Sequence, residues 1–457
     1  MSTFAGIGAA LSALTTNRRG LEVTGQNIAN ANTEGYSRQR LNTEPAGTMA
    51  PGRWARASNF EGGVNVTSIA RLRDSYLESR GHVEHERQAS ATGRLEVLSE
   101  VQTVFNEPGG TGLQAKLGEL WAGFADLADN PGDLGARTQL LTRAKDVATA
   151  LNSGAGELSD QFSAQRAAMT DTTADINTKA ARLADLNDAV RRARQSGGTG
   201  NELADQRDLL VMNLVEATGA KAVTAADGSV GLSLGGGWLV QGATARAVDP
   251  AGATTLSGQS ANPVGLVWQD TGTAVSGVGG AMGATLSGLN NTLPDYAAEL
   301  DKVASALTTS VNTVHTAAFT KAGVAGGAFF SGTTAAGISV AITNPADIAA
   351  SGSATKALDG SAADKLSELA NSATGADVAY RTAVSKIGIE ANSAKTVLNT
   401  QTAVTDTIDS ARASESGVNL DEELTAMLTY QRSYEAAAKV MSAIDSMLDT
   451  MINRMGA

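Results

Sequence analysis

The chain has 457 residues, a formal net charge of −12 at neutral pH and no cysteine. That length accommodates roughly two to four domains, the acidic balance argues against the basic footprint of a general nucleic-acid binder, and the missing thiols exclude disulfides, thiolate metal sites and cysteine nucleophiles. Aromatics are only 4% of the residues, so the apolar material is mostly Ala, Leu and Val, and no run reaches the roughly 20 apolar residues of a membrane-spanning helix.

At the N-terminus, Phe4, Ile7, Leu11, Leu14, Leu21 and Ile28 follow alternating steps of three and four, with Arg18 and Gly25 at the two intervening steps. This is a heptad seam rather than a broad globular face. The apolar stretch 4–14 is short, and no positive charge precedes Arg18, so a cleaved secretory signal is not expected. The run GQNIANANTEGYSRQR at 25–40 then breaks the pattern. Asn tolerates the left-handed conformation that closes helices, so Asn27, Asn30 and Asn32 are expected to end the helix, with Gly35 and Tyr36 completing the turn. Residues 42–63 read as a loop rich in Gly, Pro and polar residues, and 64–69 alternate like a strand. Residues 71–105 read as a polar helix stopped by Pro108-Gly109-Gly110, and 113–127 as a second helix ending near Asn130-Pro131. A long helix follows over 134–195, with a break expected at Gly154 and Gly156.

Thr199 and Glu202 have capping-box spacing ahead of Leu203, Leu210 and Leu214. Residues 221–278 change character to Gly, Thr, Ser and Val, with candidate strands at 230–234, 238–241 and 264–268. Helical rhythm returns at Leu293, Tyr296, Leu300, Val303, Leu307 and Val314. Residues 320–357 are irregular, with one expected strand at 338–342, and the chain from 362 onward reads as helix apart from a break near Ser416-Gly417. In the last helix Asn419 is placed to cap, Glu422 sits at the reciprocal position, and Asp421, Glu422 and Glu423 favour the positive end of the dipole. Its stripe includes Leu424, Met427, Tyr434, Met441, Ile444 and Leu448, over a length of roughly 55 Å.

The fold class expected is mainly α: a long helical bundle with coiled-coil N- and C-terminal helices and a small inserted β-rich region. The division expected is a terminal coiled-coil domain (1–45 with 415–457), an α-helical body (46–220 with 279–319 and 361–414) and a β-rich outer region (221–278 with 320–360). An isolated helix buries little and is marginal in water, so the two patterned ends need partners: each other, further subunits, or both.

The two ends also carry a resemblance. LSALTTNRRGLEVTGQNIANANTEGYSRQR at 11–40 resembles the N-terminal signature of bacterial flagellar axial proteins, with its Asn-Ile-Ala-Asn followed by Gly-Tyr. Three further stretches resemble the hook-associated protein 1 family: NELADQRDLLVMNL at 201–214, the Gly-rich turn and helix at 279–318 ending in Asn312-x-x-His315, and GVNLDEELTAMLTYQRSYEAAAKVMSAIDSMLDTMINRM at 417–455. The middle, at 221–278 and 320–360, matches only loosely.

The resemblance implies an exported structural component of the bacterial flagellum at the junction between hook and filament, located outside the cell and carried by the flagellum's own type III apparatus. It further implies polymerisation through the terminal helices, with Phe4, Ile7, Leu11, Leu14, Leu21 and Ile28 packing on Leu424, Met427, Tyr434, Met441, Ile444 and Leu448 within and between subunits. The implied partners are copies of the chain, the hook protein, the second junction protein and an export chaperone on the C-terminal helix. Another axial protein (hook, distal rod or second junction protein) is the alternative, since those share residues near 27–36.

No chemistry competes with this reading. His82 and His85 lie three residues apart beside Glu84 and Glu86, but the segment reads as a solvated helix face rather than a metal site. Asp205-Gln206-Arg207-Asp208 places two carboxylates one turn apart around an Arg, which reads as a salt-bridged packing motif rather than an acid–base pair. GVGGAMG at 277–283 fails the dinucleotide spacing, and no Walker sequence occurs. His315 is expected to make a structural hydrogen bond. Neither enzymatic activity nor a cofactor is expected.

Overall fold

The computed structural model describes residues 3–46, 62–105 and 112–455. Helix α1 (Thr3–Ala29) leads into an antiparallel hairpin of β1 (Gln39–Pro45) and β2 (Val64–Arg71), whose register runs from Gln39 opposite Arg71 to Pro45 opposite Val64. Then come α2 (Ser75–Phe105), α3 (Leu113–Asp129), the 62-residue α4 (Leu134–Gln195) and α5 (Asn201–Thr218). Two small antiparallel sheets follow: β3 (Lys221–Thr224), β4 (Val230–Leu234), β5 (Gly237–Gln241) and β6 (Thr244–Ala245) form one, and β7 (Val248–Ala251), β8 (Gly265–Trp268) and β9 (Ala274–Val275) the other. The chain returns through α6 (Gly280–Ser287), a π-turn (Gly288–Thr292) and α7 (Leu293–Thr316). A two-residue ladder of β10 (Phe330–Ser331) and β11 (Ser339–Val340) precedes α8 (Ser361–Ser367), α9 (Ala376–Ser416) and α10 (Leu420–Met455).

Helix α4 is the spine, roughly 90 Å long at the usual rise. Leu140, Ala144, Val147, Leu151, Leu158, Phe162, Met169, Ile176, Ala180 and Leu183 keep one buried stripe along it. The expected break at Gly154 and Gly156 does not occur, and the helix runs through both. Gly154 serves packing instead, since a Cβ there would stand 3.3 Å from Leu300 Cδ1 of α7. One group of aromatics gathers where α2, α3, α7 and α9 meet. Phe105 meets the Tyr296 ring edge-on and the Tyr380 ring at a tilt, and the Trp121 indole donates to Asp377 Oδ2 at 2.7 Å.

A recurring device ties extended segments to helices. A helix-borne asparagine donates its amide to a backbone carbonyl and accepts from a backbone N–H nearby, as a neighbouring strand would. Asn177 does so with Val248, Asn187 with Val230 and Asn290 with Val264. Asn312 does so with Phe330, and Asn27 with Gln39. Because each amide turns one N–H and its oxygen toward the strand, the edge of a short strand is satisfied without another strand.

The segments 221–278 and 320–360 seat on α4 at separate stations. Asn177 and Asn187 hold the first, whereas Asn152 donates to the carbonyls of Ala335 and Ile338, and Arg137 to that of Ile348. The main hydrophobic core spans α2 to α9 and, among the described residues, includes nothing from α1 or α10. Those two helices pack on each other.

Several local expectations need correction. Residues 42–45 pair with 64–68 rather than looping. Helix α2 begins at Ser75, not 71, because Arg71 completes the ladder. Thr199 does not cap α5: Gly200, left-handed at φ 61°, holds that position, and Glu202 accepts from Gln39 instead. The expected strand at 338–342 shrinks to Ser339–Val340. The final helical stretch is interrupted at 372–375 as well as near 417. The stop at 108–110 lies outside the described residues.

Candidate functional site

The joint between the terminal helices and the body is built on Asn27. It lies in the last turns of α1 and is 1% exposed. Its Nδ2 donates to the Gln39 carbonyl at 2.9 Å and to Glu423 Oε2 at 3.0 Å, while its Oδ1 accepts from Gln39 N–H and the Tyr36 hydroxyl, both at 2.9 Å. Glu423, in the first turn of α10, is 3% exposed and also accepts from Arg38 Nε at 2.7 Å. Arg38 Nη1 reaches Glu422 at 2.8 Å, and the Arg38 N–H donates to the Ser416 carbonyl. Burial opposes the charge on Arg38, but the exposed Glu422 and the buried Glu423 beside its guanidinium outweigh it and raise the Arg38 pKa. Asn27 therefore fastens α1 to β1 and α10 at once.

The same turn docks on α5. Asn201 Nδ2 donates to Gln39 Oε1 at 2.9 Å, and Ser37 N–H points at Asp205 Oδ2 at 3.3 Å. Arg71 Nη1 bridges Asp205 and Asp208, each at 2.8 Å. Burial, then the nearby Asp205 and Glu202 charges, push the Tyr36 hydroxyl up to about 12. Gly35 adopts φ 77°, a left-handed conformation that favours glycine in this turn. Asn30 donates to the Gln26 carbonyl one turn back, which satisfies a helix-end acceptor. Asn32 is exposed.

Along the helix pair, the face of α1 that is buried within the chain carries Ala10, Thr16, Gly20, Val23, Thr24 and Asn27. Gly20 lets the Tyr430 ring approach so closely that a Cβ would lie 2.6 Å from it, and Gly6 faces Ile444 Cδ1 at 3.2 Å in the same way. The heptad residues flank this face. Ile7, Leu14, Leu21 and Ile28 are half-buried, as are Met427, Met441, Ile444 and Leu448 on α10. Leu11 remains 57% exposed, Leu424 50% and Tyr434 39%. Phe4 belongs to α1, and its side chain lies outside the description.

Residues 98–330 match the family model of the flagellar hook-associated protein FlgK helical domain. The chain belongs to the FlgK family. Residues 7–36 also match the flagella basal body rod protein model, and 410–455 the C-terminal model of the flagellar basal body rod FlgEFG proteins. Flagellar hook-associated protein 1 of Bacillus subtilis is 28% identical over 100% of this chain and 99% of its own length. The Escherichia coli protein of the same name is 26% identical, over 70% of this chain and 59% of the relative. In fold, the flagellar hook junction protein FlgK from Burkholderia pseudomallei superposes with a TM-score of 0.65 at 17% identity, covering 74% of this chain and 100% of that one.

As a FlgK-family member the chain is a structural component of the bacterial flagellum, at the junction between hook and filament. The shared rod-protein segments coincide with the two terminal helices and their joint, whereas the FlgK-specific segment covers most of the body. The remaining polar groups act as structural ties. His315 Nδ1 donates to the Gly327 carbonyl at 2.7 Å and its Nε2 accepts from Ala349 N–H at 2.8 Å, which fixes a neutral tautomer whose pKa burial lowers. His85 stands between Glu216 at 2.7 Å and Asp409 at 2.9 Å, and the half-buried His82 is pushed down to about 4 by loss of water around it. Among the described residues no three His, Asp or Glu side chains converge as metal ligands, and no helix is long and apolar enough to cross a membrane.

Sequence reasoning missed the partners of Asn27. Glu423 reads as one of three acids at a helix start, and nothing in the spacing marks it as the buried one. Tyr430 was passed over for Tyr434, although the glycines at 6 and 20 on the facing helix were a usable signal of close approach.

Proposed function

We propose that copies of this chain polymerise through the α1–α10 pair, building the inner wall of a tubular segment outside the cell. The interface is Phe4, Ile7, Leu11, Leu14, Leu21 and Ile28 with Leu424, Met427, Tyr434, Met441, Ile444 and Leu448, filled partly within a subunit and completed between subunits. One observation carries this reading: α10 leaves Leu424, Leu428, Val440, Met447 and Met451 between 43% and 57% exposed while its other face is engaged with α1. Covering a fully exposed side chain of this size contributes about 1.5–3 kcal/mol, so these half-exposed residues, spread over the sides of α10 away from its buried face, contribute several kcal/mol in sum once neighbouring subunits cover them. A long helix with this much uncovered apolar surface is supported as an assembly surface by its match to the rod-protein C-terminal model.

In this arrangement 1–45 with 415–457 form the tube, 46–220 with 279–319 and 361–414 the body, and 221–278 with 320–360 the outward elements. The hook protein abuts one end and the second junction protein the other. Before assembly an export chaperone covers α10. Deleting the gene tests the placement: cells then make hooks without filaments and release flagellin into the medium, whereas normal filaments contradict it. Chaperone capture is tested by removing 420–457, which abolishes it; unchanged capture contradicts that part alone.

A further inference from the structure

Beside the joint, a cavity of about 390 Å³ opens between β2, the start of α2, α5 and the edge of β3 and β4. Four arginines line it: Arg71, Arg73, Arg194 and Arg207. Three of them converge on one carboxylate. Arg71 Nη1 meets Asp208 Oδ2 at 2.8 Å, Arg73 Nη1 contacts the same oxygen, and Arg207 Nε and Nη2 meet Asp208 Oδ1 at 3.1 and 3.0 Å. The other wall carboxylate, Glu78, is engaged by Arg73 and by Arg412 at 3.1 Å.

The fourth guanidinium, that of the exposed Arg194, lies beside Gly228 on the cavity wall. Gly228 has φ 80°, a Cβ there would collide with Arg194 Nη1, and its carbonyl accepts from Arg207 Nη1 at 2.8 Å. The floor is apolar, with Val211, Ala222 and Val230. Burial, and after it repulsion from Arg71, Arg194 and Arg73, brings the Arg207 pKa down to about 10. Guanidinium is otherwise always charged, so the wall holds more positive charge than its own carboxylates neutralise. A helix-packing motif of Asp205, Arg207 and Asp208 accounts for the pairs, but not for four arginines around open volume.

We propose that this cavity is a binding site for a small tetrahedral oxyanion of the phosphate class. Arg194 closes over the ion, and Arg73 and Arg207 present N–H donors from the inner wall, a fork geometry that suits phosphate oxygens. The volume exceeds that of the bare ion, so part of its water enters with it. Since Arg71 and Arg73 connect the β1–β2 hairpin to α2 and α5, occupancy stiffens the joint between the terminal helices and the body.

The test uses the full chain with inorganic phosphate, at ionic strength held constant with sodium chloride. Calorimetric titration gives one saturable site, and the melting temperature rises with phosphate as mass action requires. Acetate at the same ionic strength gives neither effect. Phosphate also raises the pKa of His82, which lines the same cavity, as read by NMR. Arg194→Ala, at an exposed position, weakens binding about tenfold or more, as expected for a lost charge-assisted pair. Arg194→Lys, which keeps the charge and loses the fork, falls between. Arg192→Ala, whose guanidinium pairs with Asp188 at 3.1 Å, changes affinity less than about twofold. Absence of saturable phosphate heat, an equal response to acetate, or indifference to Arg194→Ala overturns the proposal.

Discussion

Asn27 and Glu423 are 396 residues apart in sequence and 3.0 Å apart in space, joined by a hydrogen bond buried from water. A buried carboxylate is expensive unless its lone pairs are filled, and here the Asn27 amide and the Arg38 guanidinium fill them. The two chain ends are thus fastened by a polar clasp at the base of the pair, while apolar packing continues outward along α1 and α10.

Asn27→Ala removes the clasp, strands the backbone N–H and carbonyl of Gln39 together with one oxygen of Glu423, and takes the acceptor from the Tyr36 hydroxyl. The expected loss is about 3 kcal/mol or more in the stability of the terminal unit, from two or three unsatisfied buried groups. Hydrogen exchange at the Gln39 amide should accelerate correspondingly. Asn27→Asp keeps the acceptor but sets a second carboxylate against Glu423. Adding Glu423→Gln restores a donor across the gap, so the double variant is expected to recover about 1 kcal/mol or more relative to the sum of the single changes. A strictly additive pair would show that the contact contributes nothing.

Gly20 fixes how closely the helices approach. Gly20→Ala gains about 1 kcal/mol of helix propensity but drives the Tyr430 ring from its place, an overpacking that typically costs about 1–3 kcal/mol. A net loss is expected, together with greater exposure of Tyr430 by fluorescence quenching. Combining it with Tyr430→Leu should relieve the overlap. If Gly20→Ala alone stabilises the pair, α1 and α10 do not approach as described.

His85 and His82 respond to pH in opposite directions. Glu216 and Asp409 bracket the His85 ring, from α5 and α9, and raise its pKa against the opposing effect of burial, while Arg412, which shares Asp409, is the nearby cation and His82 stays neutral down to about 4. Its contribution is complete below about 6.5, the unfolded value, and is lost as pH rises through the raised folded value. His82, held neutral by burial down to about 4, costs stability as pH falls from about 6.5 toward 4, because only the unfolded chain takes up the proton. Melting temperatures across pH 4 to 9 should show His85→Gln flattening the alkaline limb and His82→Gln the acid limb. Equal slopes in all three proteins would remove both assignments.

Much of the helical frame is legible because its signals are local. Asp133 accepts from Gly135 N–H at the start of α4, and Asn419 accepts from Asp421 N–H at the start of α10, as capping chemistry requires. The strands around Val230, Trp238 and Leu266 follow from short apolar segments set between glycine-rich turns. What is not legible depends on distant partners. Gly154 looks like a helix breaker until Leu300 occupies the space a side chain would need. Thr199 looks like a cap until Gly200 takes the left-handed position. Asparagine spacing gives no sign that Asn187 will hold the backbone of Val230, 43 residues on. The heptad seam of α1 marks the right helix, but the face buried within the chain is the adjacent stripe of small and polar residues, because only those admit Tyr430 and Glu423.

The most direct measurement concerns Leu428, which is 57% exposed on the free face of α10. The chain has no cysteine, so Leu428→Cys introduces a single thiol. Maleimide should label it rapidly in the dilute monomer and at least about tenfold more slowly in assembled flagella, while Ser196→Cys, on the exposed end of α4, reacts equally in both. Equal labelling of the Leu428→Cys thiol before and after assembly would contradict an interface completed between subunits along α10.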